Sequence, residues 1–392
     1  MVDLKITSSW PQFSEAEKLA VSNVLATGKV NYWTGKEGKL FEQEFAEFCK
    51  VNYAIALTNG TAALELALEA LGIEEGDEVI GSPRTFMASA SCVVTREATP
   101  IFADVDFNSG NITAESIEKV ITPKTKAIIP VHLAGMPCEM DDIMALAEKY
   151  DLYVIEDCAQ AHGAKYKGKP VGSIGHIGAF SFCQDKIMTT GGEGGMLVTN
   201  DKNLWKKAWA YKDHGKSYDA VYNREHPPGF RWLAESFGTN FRMTEMQATI
   251  GREQLKLLPT WTEKRQENAA KLDEVIQQYP ALIIQVIPDN IIHARYKYYT
   301  YVDTNKLKDG WDRDKIQDKF WENGIPCYVG SCSEIYNEKA FETYGFKPEK
   351  PLPVAEELGK ISLMFLIHPT LTTSEINATC QVIMTIMEMA SN

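Results

Sequence analysis

Two residues of opposite charge lie where side chains can act on a ligand. Asp157 closes the apolar run LYVIED, and Lys186 lies in the glycine-rich stretch SFCQDKIMTTGGEGG that follows the apolar run GAFSFC. In parallel sheets, ligands bind beyond the carboxyl ends of the strands, and glycines let the backbone approach a bulky ligand. Taken singly, Asp157 could cap a helix or occupy a surface turn, and Lys186 could be a solvated side chain.

Taken together, the two residues meet the needs of pyridoxal phosphate chemistry. A lysine amine forms a Schiff base with that cofactor, and a carboxylate keeps the ring nitrogen protonated so that the ring can accept electrons. The phosphate needs hydroxyls and the N–H groups of a helix N-terminus. Asn59-Gly60-Thr61-Ala62 would provide them, although any helix can begin with Gly-Thr.

The elements that must position these residues follow from the apolar pattern. Short apolar runs without polar alternation are separated by amphipathic helical segments, which predicts a mainly parallel sheet between helices. Strands are predicted over 78–82, 99–105, 127–132, 152–158, 178–183 and 195–200. Helices are predicted over 14–28, 38–49, 60–72 and 140–150, with Thr61 as the cap of the third.

The last third of the chain has a different pattern. A helical stretch runs from about 245 to Pro280, and Pro259 predicts a break within it. Beyond it, strand-like runs and a terminal helix over 373–389 indicate a smaller α+β lobe. We therefore expect a large domain over 1–260 and a small C-terminal domain over 261–392.

Composition excludes several classes of protein. The 392 residues have a net charge of 40 − 53 = −13 and no block of basic residues, so nucleic acid is not an expected partner. The apolar runs are shorter than the roughly 18 residues of a membrane span. Eight scattered cysteines and an N-terminus unlike a signal peptide predict a cytoplasmic protein with free thiols. Cys158 with His162, and Cys327 with Cys332, lack the further ligands of a zinc site, so no metal is expected.

With its motifs in this order, the chain resembles the DegT/DnrJ/EryC1/StrS aminotransferases, pyridoxal phosphate enzymes that act on nucleotide-linked keto-sugars. The resemblance implies fold type I, the fold of aspartate aminotransferase, and covers about residues 10 to 370. The matching segments are ALTNGTAALELAL at 56–68, PRTFMASA at 83–90, PIFADVD at 100–106, VIEDCAQAHGA at 154–164, VGSIGHIGAFSFCQDKIMTTGGEGGMLVT at 171–199 and GTNFRMTEMQA at 238–248.

The resemblance implies a role for each matching residue. Lys186 would form the Schiff base, Asp157 would pair with the ring nitrogen, and Gln160 would hydrogen-bond the phenolic oxygen. The remaining cofactor contacts would be the backbone of Gly60 and Ala62 and the side chains of Thr61 and Ser181 on the phosphate, Phe86 on the ring face, and Asn240 on the phosphate of the neighbouring subunit. A homodimer with shared active sites follows. Phe86 could instead belong to the core, and Gln160 could cap a helix.

The chain departs from the family pattern at two places. Cys183-Gln184-Asp185 precedes the lysine, where the family often has an aromatic and a small residue or proline. A carboxylate facing the lysine would favour its charged form, so we expect Asp185 to point away. Cys327-Tyr328 stands where the family commonly has His-Tyr, so Tyr328 and His162 are the candidate substrate contacts; His162 could equally be structural.

The resemblance implies a two-stage transamination. L-Glutamate would leave its amino group on the cofactor, which would pass it to a keto group, expected at C4, of a nucleotide-diphosphate-linked deoxyhexose. The product would be an amino sugar for surface polysaccharide or a related glycan. Two alternatives stay open: a sugar dehydratase of the same family, which would have histidine in place of Lys186, and a catalytically silent binding or regulatory protein.

Overall fold

The structure is a computed structural model that describes residues 6–391. Its helices are α1 (Glu15–Thr27), α2 (Glu37–Cys49), α3 (Gly60–Leu71), α4 (Ala88–Val94), α5 (Ala114–Glu118), α6 (Met140–Tyr150), α7 (Lys202–Tyr211), α8 (Tyr218–Tyr222), α9 (Glu245–Ile276), α10 (Arg313–Glu322), α11 (Lys339–Tyr344), α12 (Pro353–Ile361) and α13 (Thr373–Ala390). Its strands are β1 (Tyr53–Leu57), β2 (Glu78–Gly81), β3 (Thr99–Phe102), β4 (Thr125–Ile129), β5 (Tyr153–Asp157), β6 (Lys165–Tyr166), β7 (Lys169–Pro170), β8 (Ile177–Ser181), β9 (Gly195–Thr199), β10 (Leu282–Ile284), β11 (Ile291–Ile292), β12 (Tyr298–Val302), β13 (Cys327–Tyr328) and β14 (Ser362–Phe365).

A seven-stranded sheet forms the large lobe, in the order β1-β9-β8-β5-β4-β2-β3. The strands from β8 to β3 are parallel, and β9 is antiparallel to both of its neighbours. Because β9 is reversed between β1 and β8, the carboxyl end of β1 lies at the same edge as those of β8, β5, β4 and β2. The predicted mainly parallel sheet is confirmed.

Helices cover both faces of this sheet, and strand alternation divides the core in two. On β1, Ile55 and Leu57 pack with α3 and α7, whereas Ala54 and Ala56 pack on the other face. There, phenylalanines of α2 pack with Phe180 and with residues of α9. This two-sided burial explains why the strands read as continuous apolar runs.

The start of α3 differs from the prediction. Asn59 caps the helix, because its side-chain oxygen accepts a hydrogen bond from the Ala62 N–H at 2.8 Å. Thr61 lies one residue inside the helix and is not the cap. Asn59 has the extended backbone that a cap requires, since it directly follows the turn out of β1.

The predicted break at Pro259 is wrong, because α9 continues through it for 32 residues. Proline removes one backbone donor and strains the preceding turn. That cost is offset by burial on both sides of Pro259: Leu255 and Leu258 belong to the core of the large lobe, and Ala269 and Leu272 to the core of the small lobe.

The small lobe contains an antiparallel sheet in the order β10-β12-β14-β13, packed against α10 and α13. The end of α9 contributes to the same core, so the predicted boundary between 260 and 261 falls inside a continuous helix and stays a prediction. A three-stranded sheet, β11-β6-β7, joins the two parts of the chain. None of the helices within residues 6–391 has the length and apolar character needed to cross a membrane.

Glu375, in the first turn of α13, fastens the N-terminal segment to the small lobe. Its carboxylate accepts hydrogen bonds from the N–H groups of Thr7 and Ser8, from the Ser8 hydroxyl and from the Thr372 N–H, at 2.7 to 2.9 Å. Burial alone would raise the pKa of Glu375, but these hydrogen bonds lower it far below its ordinary value. The ionised form is therefore the one that the fold stabilises.

We predict that Glu375→Gln lowers the free energy of unfolding by roughly 1.5 to 3 kcal/mol at pH 7, the value of hydrogen bonds to a charged group. A lowered native pKa stabilises the fold above the unfolded pKa, about 4.3, and this contribution disappears as the pH falls further. The difference in thermal unfolding between wild type and variant should therefore be full at pH 7 and smaller at pH 3, because the contribution is lost only as the pH falls from the unfolded pKa toward the folded one. Glu356→Gln, which removes an exposed Lys360 pair, is the control and should have little effect. An equal difference at both pH values would contradict the prediction.

Candidate active site

A cavity of about 530 Å³ opens at the carboxyl edge of the large sheet. The loops after β1, β2, β5 and β8 all contribute to it, as expected where parallel strands end together. Among its lining residues are Asn59, Gly60, Thr61, Ala62, Thr85, Phe86, Ser89, Asp157, Ala159, Gln160, Ser181, Cys183, Asp185, Lys186, Glu193 and Phe241. Eight of the eleven predicted site residues therefore lie around one space.

Asp157 ends β5 and is buried at the base of this cavity. One carboxylate oxygen accepts a hydrogen bond from the Ser89 hydroxyl at 2.7 Å, and the other accepts one from the Ala159 N–H at 3.1 Å. It neither caps a helix nor lies at the surface. Two donors thus hold a carboxylate in one orientation inside an enclosed site.

Gln160 is oriented by a backbone group from another loop. Its side-chain oxygen accepts a hydrogen bond from the Ala134 N–H at 2.8 Å. Because an N–H can only pair with the amide oxygen, the NH₂ group is the part of Gln160 that can donate to a ligand. Ala134 itself has a left-handed backbone, with φ of 54°, so a strained residue supplies the donor.

Lys186 lies in the turn between β8 and β9 and lines the cavity, with its side chain mostly covered. The expectation that Asp185 points away from it is wrong. An Asp185 oxygen lies 3.9 Å from Lys186 Nζ, and the Tyr296 hydroxyl donates to the other oxygen. Tyr296 belongs to the loop before β12 and turns Asp185 toward the lysine. Burial raises the pKa of Asp185, but Lys186, the Tyr296 hydrogen bond and Lys297 outweigh burial and lower it.

The N-terminus of α3 lies unusually close to the end of β8. A Cβ atom added to Gly60 would stand 2.5 Å from Ser181 Cβ and 3.0 Å from its Oγ. The Ala62 N–H already donates to Asn59, whereas the first N–H groups of a helix have no acceptor within it. Gly60 and Thr61 therefore offer free donors beside the hydroxyls of Thr61 and Ser181, which suits a phosphate.

Phe86 is not a core residue, because 68% of its surface is exposed where it borders the cavity. An exposed aromatic ring at a cavity suits stacking on a flat ligand. Glu193 and Ser89 also line the cavity and were not singled out from the sequence. Ser89 lies within the apolar segment MASASC, where only its polarity could have indicated a role.

Three predicted residues lie outside this cavity. His162 is fully buried behind it against Phe180 and Phe182, and burial, followed by the charge of Lys186, lowers its pKa to about 3. Tyr328 lies on the edge strand β13 and packs against Trp321. Asn240 is exposed, next to the lining residue Phe241. The packing around His162 favours the structural reading of that histidine.

Comparison with known proteins agrees with this geometry. The family model of the DegT/DnrJ/EryC1/StrS aminotransferase family matches residues 11–384. The chain belongs to this family. A solved aminotransferase from Psychrobacter cryohalolentis is 58% identical, with a TM-score of 0.96 over 97% of this chain and 98% of its own.

Two curated relatives show the range of named activities among similar proteins. GDP-perosamine synthase of Escherichia coli O157:H7 is 36% identical over 88% of this chain and 89% of its own length. UDP-N-acetyl-3-dehydro-alpha-D-glucosamine 3-aminotransferase of Acidithiobacillus ferrooxidans is also 36% identical, over 87% of this chain and 86% of its own. The resemblance, the fold type and the aminotransferase class inferred from the sequence are thereby confirmed.

We predict that Gly60→Ala weakens binding of pyridoxal 5′-phosphate by about tenfold or more, a loss of about 1.4 kcal/mol. The added methyl group must push α3 away from Ser181, which separates the donors that converge there. The affinity is measured by absorbance titration of the apoprotein. Gly81→Ala, at the end of β2, is the control, because a Cβ there meets no atom within 4 Å. Equal affinities for wild type and both variants would contradict the prediction.

Proposed function

We propose that the protein is a pyridoxal phosphate-dependent aminotransferase that moves an amino group from L-glutamate to a keto group of a nucleotide-diphosphate-linked deoxyhexose. The decisive observation is that Lys186 and the buried, doubly hydrogen-bonded Asp157 line the same cavity as the N-terminus of α3. A lysine, a carboxylate and an anion-binding helix end are the three groups that this cofactor needs.

The residues around the cavity suit the parts of the cofactor. Gly60, Thr61 and Ser181 would hold the phosphate, Phe86 would stack on the ring, and the NH₂ group of Gln160 would donate to the phenolic oxygen. Asp157, fixed by Ser89, would hold a proton on the ring nitrogen.

When bound, the cofactor supplies an aldehyde that takes up the donor's amino group and a ring that stabilises negative charge on the neighbouring carbon. The protein supplies the proton transfers. Lys186 Nζ would remove a proton from the donor's α-carbon and deliver it to the cofactor carbon that carries the amino group. Asp185, held by Tyr296, would keep the lysine at this edge of the cavity.

The named relatives differ in the nucleotide and in the sugar position that they aminate, so both details are part of the proposal for this protein. Their names include GDP-linked and UDP-linked sugars, and one names amination at position 3. We retain C4 as the proposed position and an amino sugar for a surface glycan as the proposed product. The test is incubation of the holoenzyme and glutamate with a panel of nucleotide-linked 3-keto and 4-keto hexoses, with the product identified by mass and NMR. If none of these sugars is converted to an amino sugar, the proposal is contradicted.

We predict that borohydride reduction of the holoenzyme attaches the cofactor to Lys186. Peptide mapping by mass spectrometry distinguishes this lysine from Lys297. Lys297 is the alternative site of Schiff-base formation, because burial lowers its pKa to about 8. Lys186→Ala should abolish both the labelled peptide and turnover, whereas Lys297→Ala should keep the label on Lys186. A label on Lys297 in the wild-type enzyme would overturn the assignment.

We also propose a homodimer in which Asn240 reaches the partner's cofactor phosphate. Asn240 is exposed outside the cavity of its own chain. The segment before it exposes three aromatic rings, Phe230 at 77%, Trp232 at 78% and Phe237 at 99%. Such a surface is typical of one that another molecule covers.

We predict that mixing inactive Lys186→Ala chains with Asn240→Asp chains restores activity. In a mixed dimer, one site would have both defects and the other neither. The Asn240→Asp homodimer should bind the cofactor poorly, because a carboxylate repels the phosphate. Exchange is verified by native mass spectrometry, and activity is measured on the mixture. Verified mixed dimers without activity would show that each site is built from one chain.

A further inference from the structure

A second, smaller cavity of about 210 Å³ adjoins the first one. Asp185 lines both cavities, so the two spaces meet at the carboxylate that faces Lys186. The second cavity lies between the N-terminal segment, α9 and the small lobe, and Trp10, Arg265, Lys297 and His368 border it. The indole N–H of Trp10 donates to the Lys186 carbonyl at 2.7 Å, which joins this cavity to the lysine turn.

Arg265 is a buried cation with unused donors. Its side chain is 1% exposed, and its Nη1 atom donates to the carbonyl oxygens of Arg295 and Tyr296 at 3.4 and 3.2 Å. Its Nε and Nη2 atoms have no hydrogen-bond partner. The Trp10 ring covers the guanidinium face at 5.2 Å. Within residues 6–391 no carboxylate pairs with this group, and burial lowers its pKa to about 9.

The other groups around the cavity leave its positive charge uncompensated. Lys297 is half-buried and adds a second cation, whose pKa is lowered to about 8 by desolvation, with Asp185 opposing that shift. His368 adds no positive charge near neutral pH, because burial and the charges of Arg265 and Lys297 lower its pKa to about 4. Asp185 is the single acidic side chain among the described lining residues. Two cations therefore face one carboxylate, which is itself shared with Lys186.

We infer that this second cavity binds a carboxylate group of the amino-acid donor, with Arg265 and Lys297 as its ligands. The inference rests on the proposed function. A guanidinium presents its donors in a planar fork that matches a carboxylate, and a buried cation without a partner gains most from such a ligand. The donor's amino group would then pass Asp185 into the cofactor site beside Lys186, while its carboxylate stays in the second cavity.

A sugar-linked diphosphate is the other anion that the reaction brings to the protein. The second cavity has less than half the volume of the first, and its guanidinium is almost fully enclosed. A small planar anion fits this enclosure, whereas a diphosphate with a sugar and a nucleoside on its two ends needs an open groove. We therefore assign the second cavity to the donor and the larger first cavity to the sugar.

The direct test uses glutarate, a five-carbon dicarboxylate that has no amino group to react. It is titrated into the holoenzyme by calorimetry, so that binding is read without turnover. Arg265→Lys and Lys297→Met should each lower the affinity for glutarate by about tenfold. Arg265→Gln should lower it by about a hundredfold, as expected for lost charge-assisted hydrogen bonds. Arg252→Gln is the matched control on α9, because Arg252 pairs with Glu37 and Glu44; it should bind glutarate like wild type.

A parallel titration with UDP and steady-state kinetics distinguish the two anion sources. The Arg265 and Lys297 variants should raise the KM for glutamate while leaving UDP affinity and the KM for the sugar unchanged. Wild-type glutarate affinity in both Arg265→Lys and Lys297→Met, or a loss of UDP affinity instead, would overturn the inference. A wild-type holoenzyme that does not accept an amino group from glutamate would instead contradict the proposed function.

Discussion

The common direction of β2, β4, β5 and β8 is the constraint on which the cavity depends. Parallel strands that are buried on both faces end at one edge of the sheet, where the chain leaves the core. Asp157 and Ser181 end two of these strands, Phe86 and Lys186 lie in the loops after β2 and β8, and all four share one space for that reason. The reversed strand β9 preserves this geometry, because it also aligns β1 and places the N-terminus of α3 against Ser181.

The charged residues around the two cavities come from separate parts of the chain. The large lobe supplies Lys186 and Asp185, and the loop before β12 supplies Tyr296 and Lys297. Arg265 lies on α9, the helix shared by both lobes. Positive charge exceeds negative charge where these parts meet, so recognition of an anion there depends on the packing of the lobes.

Helix α9 and the hydrogen bonds of Glu375 hold the large lobe, the small lobe and the N-terminal segment together. Helix α9 runs unbroken past Pro259, because its two halves are buried in different cores. Glu375 binds the N-terminal segment through three of its polar groups, and that segment continues to Trp10, which covers Arg265 and bonds the lysine turn. A contact at the start of α13 therefore contributes to the shape of the second cavity.

The sequence by itself determined the fold class, the family and eight of the residues around the first cavity. The fold class follows from local signals, namely the apolar runs and the helical segments between them, whereas the family and the site residues follow from the order of the motifs that resemble it. Tertiary structure decided what depends on distant partners. Tyr296, 111 residues away, turns Asp185 toward the lysine, and the Ala134 N–H orients Gln160. Periodicity could not reveal these contacts or the meeting of Trp10 with Arg265, because each joins segments that only folding brings together.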